Sequence, residues 1–179
     1  MKNTDSKKVL VLTSDEIEDL LYLRELEKLA KDVYIYSYDK YYSQIFNNII
    51  LSEEKHMNSV LNLLEKYNIE DPASEIIGEF KNQLIQEKYN HLIELSKISL
   101  LNAIIAGDII EDYDTLDLII KESRTTKYDL LNVYGSLKCG SRNHLRSFYN
   151  QTLLYDSIYI PEYISQEEFD LIVTSPYEK

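Results

Sequence analysis

The sequence predicts an all-α protein: a four-helix bundle with an extra helix between the second and third bundle helices and a short C-terminal extension. Two observations carry this expectation. Only four glycines and three prolines interrupt 179 residues, and breakers that scarce leave long helices as the natural outcome. Apolar residues also recur at spacings of three and four over long stretches, with no strand-like alternation and no glycine-rich phosphate loop. At 44% hydrophobic residues the chain can build one core of its own, and it is short for two domains.

The first helix opens on a capping box. Thr13-Ser14-Asp15-Glu16 puts a hydroxyl at the N-cap and a carboxylate three residues on. Leu20, Leu23, Glu27, Ala30, Tyr34 and Tyr38 then share one face, and the helix is expected to end near Tyr41. Glu25 points the opposite way, among Glu18, Lys28 and Asp32, and is expected in solvent. A second helix should run from about Ser43 to Tyr67, with Ile49, Glu53, His56, Val60 and Leu63 on one stripe. Asn68-Ile69-Glu70-Asp71-Pro72 supplies turn chemistry after it.

A third helical pattern covers about Phe80 to Leu95. Ser99 caps a fourth helix, which takes in Leu100 to Asp112 and, with room for a bend near Asp114, Leu116 to Ser123. The last long helix spans about Lys127 to Leu154. Beyond it the tail is extended around Ile160-Pro161-Glu162, and Ser165 to Ile172 forms one more helical segment. The expected division is a flexible N-terminus over 1–12, the bundle over 13–155 and an extension over 156–179 that packs on it.

Composition removes several classes of function. Acidic residues outnumber basic ones 31 to 19, a formal net charge of −12, and that balance repels a polyanion, so nucleic acid is not an expected partner. Cys139 is the only cysteine, so the chain has neither an internal disulfide nor a thiolate metal cluster. No apolar stretch approaches the roughly 20 residues that span a bilayer, and Val9 to Leu12 is too short for a signal-peptide core. The expectation is a cytoplasmic protein that does not engage membranes.

The functional reading turns on charged residues lying on apolar faces. Glu27 sits among Leu20, Leu23, Ala30 and Tyr34, and a carboxylate in a dry core costs several kcal/mol unless something positive meets it. A metal ion is one such partner; a salt bridge to Arg or Lys is the other. Glu53 and His56 lie three apart on the buried stripe of the second helix, one turn from each other and able to reach one ion. Glu111 and Asp114 repeat that spacing on the fourth helix, although Glu111-Asp112-Tyr113-Asp114 also reads as an acidic helix end facing water.

His144 shares a face with Leu137, Ser141 and Phe148, where a hydrogen-bonded core histidine is the competing account. Gly140, one turn earlier, would let a neighbouring group approach the backbone closely. His91 lies between polar neighbours and reads as surface. Taken together, four helices supply a carboxylate, a Glu–His pair, a carboxylate pair and a histidine, in that order. Four carboxylates and two imidazoles are the donor set of a di-iron or di-manganese carboxylate site, and four negative charges balance two divalent cations.

These residues resemble the ferritin-like superfamily, particularly its rubrerythrin branch. Glu27-Lys28-Leu29-Ala30-Lys31-Asp32-Val33-Tyr34 is similar to the first-helix motif there, and Glu53-Glu54-Lys55-His56 to the second-helix ligand pair. The run Leu23 to Tyr34, the segment Ser52 to Met57 and Gly140-Ser141-Arg142-Asn143-His144-Leu145-Arg146 also resemble an uncharacterised ferritin-like domain family of bacteria and archaea, over roughly Leu12 to Ile172. The resemblance implies a bundle holding two metal ions, iron foremost with manganese or zinc as alternatives. Their expected ligands are the residues read above on the buried faces, Glu27, Glu53, His56, Glu111, Asp114 and His144.

Two departures from the family pattern stand out. Ser141 occupies the place of a last-helix glutamate, which Asp114 is expected to replace, and no Cys-x-x-Cys pair is present, so electrons would come from an external donor. Three functions remain open: an oxidoreductase that reduces peroxide or dioxygen, with Tyr34 near the reacting site; an iron-handling ferroxidase or storage protein; and a non-enzymatic bundle that has lost full metal binding. A homodimer is the expected assembly.

Overall fold

A computed structural model describes residues 11–179. It is all-α, with six helices and no strand among the described residues: α1 (Ser14–Tyr41), α2 (Gln44–Lys66), α3 (Gln83–Ile98), α4 (Leu100–Arg124), α5 (Tyr128–Leu154) and α6 (Gln166–Thr174). The expected flexible segment 1–12 falls outside the described residues except for its last two, of which Leu12 is buried. Among the described residues, no helix is long and apolar enough to cross a membrane.

The capping box forms in full: Glu16 N–H donates to Thr13 Oγ1 and Thr13 N–H donates back to Glu16 Oε2. Asn82 caps α3 by accepting from Leu84 N–H and Ile85 N–H, so that helix starts at Gln83 and leaves Phe80 outside it, packed in the core. Ser99 caps α4, which then runs unbroken through Asp114 to Arg124. The helix is not interrupted there, and neither proline nor glycine lies between Asp108 and Arg124 to open the ladder.

Short connections make α1–α2 and α4–α5 antiparallel pairs, and these pack closely. The pairs then face each other, α1 against α4 and α2 against α5. The end of α2 meets the start of α5, where Lys66 and Tyr67 both reach Asp129. One apolar cluster, with Leu26, Val33, Phe46, Ile104 and Phe148, fills the end of the core towards the α1–α2 turn; another, with Leu20, Leu23, Leu64, Leu118 and Leu130, fills the opposite end. Gly107 lets the Phe148 ring lie against α4, since a Cβ there would come within 2.5 Å of it. The acidic residues of interest lie between the two clusters.

One expectation of exposure is overturned, and one competing reading is set aside. Glu25, Lys28 and Asp32 are buried, because the 67–82 connection crosses over that face of α1. Glu25 accepts from Lys81 N–H at 2.6 Å and Asn82 N–H at 3.0 Å, Asp32 accepts from Gly78 N–H at 2.9 Å, and Arg24 pairs with Asp71 at 2.8 Å. The Glu111–Asp114 stretch does not face water either. Asp112 is fully buried and accepts from Tyr159 OH (2.8 Å) and from the backbone N–H groups of Glu162 (2.7 Å), Tyr163 (3.0 Å) and Ile164 (2.9 Å).

Asp112 therefore ties the segment after α5 to α4, and Tyr159, Ile164, Phe169 and Ile172 bury their apolar surface with Leu145 beside it. Arg146 adds a bond to Ile172 O at 2.7 Å. Replacing Asp112 by alanine strands three backbone donors at once. The expected loss is about 3 kcal/mol or more, read as a lower unfolding midpoint and faster proteolytic cleavage between Asp156 and Ser165.

Candidate metal centre

Glu27 on α1, Glu53 and His56 on α2, Glu111 on α4 and His144 on α5 converge between the four long helices, and Asp114 on α4 is buried within the electrostatic reach of Glu27, Glu111 and Glu53. The four carboxylates are at most 1% exposed and the two imidazoles 8%. Glu27, Glu53 and His56 form one group whose candidate ligand atoms lie within 4.8 Å of one another, and Glu53, Glu111 and His144 form a second. Glu53 belongs to both. His56 Nδ1 lies 2.9 Å from Glu53 Oε2 and 3.2 Å from Glu27 Oε2. His144 Nδ1 lies 2.8 Å from Glu53 Oε1 and 3.4 Å from Glu111 Oε1. The glutamate thus turns one oxygen to each histidine.

Asp114 stands outside both triads, yet it is buried and its Oδ1 has no hydrogen-bond partner. Tyr34 is also fully buried. Its hydroxyl donates to Glu111 Oε1 at 2.6 Å, and its ring packs against Phe46 and Phe148. Ser141 is buried one turn before His144, but its hydroxyl donates to Leu137 O at 3.2 Å and so stays on its own helix. His91 is exposed on α3, away from this group.

The protonation pattern follows from burial set against close charge. Burial pushes Glu27 up to about 7 against the opposing pull of His56, with Glu53 adding to the rise. Burial also raises Glu53, but His144 and His56 outweigh it and hold that carboxyl well below the usual range. His56 is driven down by burial and more strongly up by Glu53 and Glu27, to about 11; His144 rises to about 10 by the same balance with Glu53 and Glu111. Burial, then the charges of Glu27, Glu111 and Glu53, raises Asp114 well above the usual carboxylate range. Without cations, the protein carries the site's charge balance on protons.

Those protons leave the donor set incompletely satisfied. Both oxygens of Glu27, Glu53 Oε1, Asp114 Oδ1 and His144 Nδ1 are buried without a hydrogen-bond partner. The His144–Glu53 contact is close in distance but lacks hydrogen-bond geometry. Buried polar atoms are ordinarily paired, and orphans concentrated at one place ask for an ion. Carboxylate oxygens and imidazole nitrogens converging between helices fit iron, manganese or zinc.

Gly140 explains how α5 admits this arrangement. A Cβ there would lie 2.5 Å from Cε1 and Nε2 of the His56 ring, and that ring is held from the other side by Glu53 and Glu27. The Gly140→Ala variant is expected to displace the ring. Overpacking of this kind costs about 1–3 kcal/mol, visible as a lower melting temperature together with weaker metal uptake.

Residues 16–176 match the family model described as "Uncharacterized protein domain (DUF2202)", and the chain belongs to that family. It is also similar to "Uncharacterized protein MJ0754" of Methanocaldococcus jannaschii, 44% identical over 169 residues that cover 94% of this chain and 91% of the relative. The crystal structure of hypothetical protein MJ0754 from Methanococcus jannaschii superposes with a TM-score of 0.92 at 44% identity, covering 94% of this chain and 97% of that one. None of these descriptions states an activity. A functional reading has to come from the chemistry of the site.

Proposed function

We propose that the protein is a ferritin-like four-helix bundle, related to the rubrerythrins, that holds two metal ions between α1, α2, α4 and α5, and that it reduces hydrogen peroxide or dioxygen. The observation that supports this reading is the pair of buried triads sharing Glu53, with their unpartnered oxygens and nitrogen turned towards one another. Glu27, Glu53, His56, Glu111, Asp114 and His144 are the proposed ligands. Iron is the proposed ion, and manganese and zinc fit the same donors.

A pair of ferrous ions would supply Lewis acidity and one electron each. Reduction of hydrogen peroxide to two waters takes two electrons and two protons, and an external donor restores the electrons. The protein's share is placement and exclusion of bulk water. Four carboxylates would neutralise two divalent cations in a space closed at both ends by apolar clusters. Tyr34 orients Glu111 through its 2.6 Å hydrogen bond and keeps a hydroxyl at the inner edge of the site. A homodimer is the proposed assembly.

The test is anaerobic loading with ferrous ion, desalting and elemental analysis, followed by addition of peroxide with a reductant present. About two ions per chain and catalytic peroxide loss, both missing in a Glu53→Ala/His56→Ala double variant, are the expected results. Two ions that drive iron mineralisation instead of peroxide loss would move the function to iron handling. A wild-type chain that takes up no ion would overturn the reading.

A further inference from the structure

The segment that leaves α5 carries an unusual amount of open apolar surface. Within positions 153–160, Leu153, Leu154, Tyr155, Ile158 and Ile160 are between 44% and 74% exposed. The segment is nonetheless pinned on both sides of its turn. Thr152 is buried and donates to Asp108 Oδ2 at 2.6 Å, and Tyr159 is buried with its hydroxyl on Asp112 Oδ2 at 2.8 Å. Asp156, at φ 52°, turns the chain out of the helix between these anchors.

Beyond that turn exposure alternates: Ile158 and Ile160 face outward, and Tyr159 between them is buried. A period of two is that of an extended chain. The main chain of Ser157 to Ile160 makes no hydrogen bond to any described residue. The outward row is therefore apolar, fixed in place and free along its backbone. A surface already held in one shape loses little entropy on binding.

Charge and area select the occupant. The chain carries a formal net charge of −12, so two copies repel over most of their surface and meet most readily where charge is sparse. Gln151 to Pro161 contains one charged residue, Asp156, and no lysine or arginine that would hold an acidic lipid surface. The five apolar residues leave on the order of 500 Å² open, near the top of the roughly 300–600 Å² covered by the largest patch on a monomer. A standard interface takes roughly 800 Å² from each partner, about 60% of it apolar. The patch thus supplies about the apolar area that one side of a dimer needs.

We infer that residues 153–160 form an isologous contact between two copies of this chain, in which Ile158 and Ile160 of one protomer pack on the same segment of its partner. A two-fold axis brings a patch against itself, and extended segments lying beside a perpendicular two-fold run antiparallel. This contact gives the proposed homodimer its surface and stands independently of the metal reading.

The experiment is size-exclusion chromatography with light scattering on the full metal-free chain, over a wide range of protein concentration. Wild-type protein should run at twice the chain mass. The Ile158→Glu/Ile160→Glu variant should run at the chain mass, its dissociation constant raised about 100-fold or more because like charges then face each other across the axis. Both positions are exposed, so an unchanged melting temperature serves as the folding control. Ile76→Glu, at a similarly exposed isoleucine on the 67–82 connection, should leave the dimer intact.

Should the double variant fail to fold, Leu154→Glu, at the most exposed residue of the patch, takes its place. A wild-type chain that is monomeric at every concentration would overturn the inference, as would a dimer that survives the double variant. A wild-type monomer that sediments with phosphatidylcholine vesicles, and loses that binding in the variant, would give the patch to a lipid surface and overturn it too. Elemental analysis of the same proteins after loading keeps the metal reading separate, since the double variant should hold as many ions as the wild type.

Discussion

Alanine at position 53 is expected to abolish the binding of both ions, whereas alanine at position 27 or 111 should remove one. Glu53 is the member common to the two triads, with Oε2 2.9 Å from His56 Nδ1 and Oε1 2.8 Å from His144 Nδ1. Supporting groups at metal sites cost roughly 10–100-fold in affinity when removed, so a shared direct donor should cost more than about 100-fold at each half. The variant should also suffer without any metal. Both imidazoles carry protons held largely by Glu53, and leaving buried charge unpaired costs about 3–5 kcal/mol. Glu53→Gln separates the two effects: it keeps the volume, loses the charge and should bind no ion. Elemental analysis and thermal melts of the metal-free proteins provide both readings, and two ions retained by the alanine variant would rule out a shared donor.

Where local pattern decided an element, the sequence was enough to find it. The Thr13–Glu16 box and the Ser99 cap are self-contained hydrogen-bond motifs, and their helices begin where the residues say. The site was legible for a different reason: Glu27, His56 and His144 break apolar stripes whose phase is set by many neighbours, so a single odd residue on each stands out. Glu25 and Asp112 escaped because their partners are backbone N–H groups, at Lys81 and Asn82 for one and at Glu162, Tyr163 and Ile164 for the other. A helical face shows only its own residues, and a carboxylate buried beneath a distant segment reads there as solvated. Asp114 was the intermediate case. Its spacing from Glu111 suggested a shared face, but whether it joins a triad depends on how α1 and α4 pass each other, and no single helix contains that information.

Metal removal should make stability depend on pH in a direction opposite to ordinary acid denaturation. In the metal-free protein His56 and His144 hold their protons up to about 11 and about 10, against roughly 6.5 for an unfolded histidine. Their contribution is fully present below about pH 6.5 and is lost as pH rises through the folded-state values. Glu27, pushed up to about 7, acts in the same sense, since ionising it in place becomes a cost the unfolded chain does not bear. From pH 6 upwards the folded state therefore binds more protons than the unfolded one, and the metal-free melting temperature should fall.

Bound cations would replace those protons, so the loaded protein should lack this dependence, and metal uptake should release protons and tighten with pH. With about 2–4 °C of melting temperature per kcal/mol for a chain of this size, the gap between loaded and metal-free protein should widen by roughly 10 °C between pH 6 and pH 9. Melts with ferrous or manganous ion and with a chelator, at matched ionic strength, measure it. A gap that stays constant or narrows over that range would mean that the buried imidazoles do not exchange protons for cations.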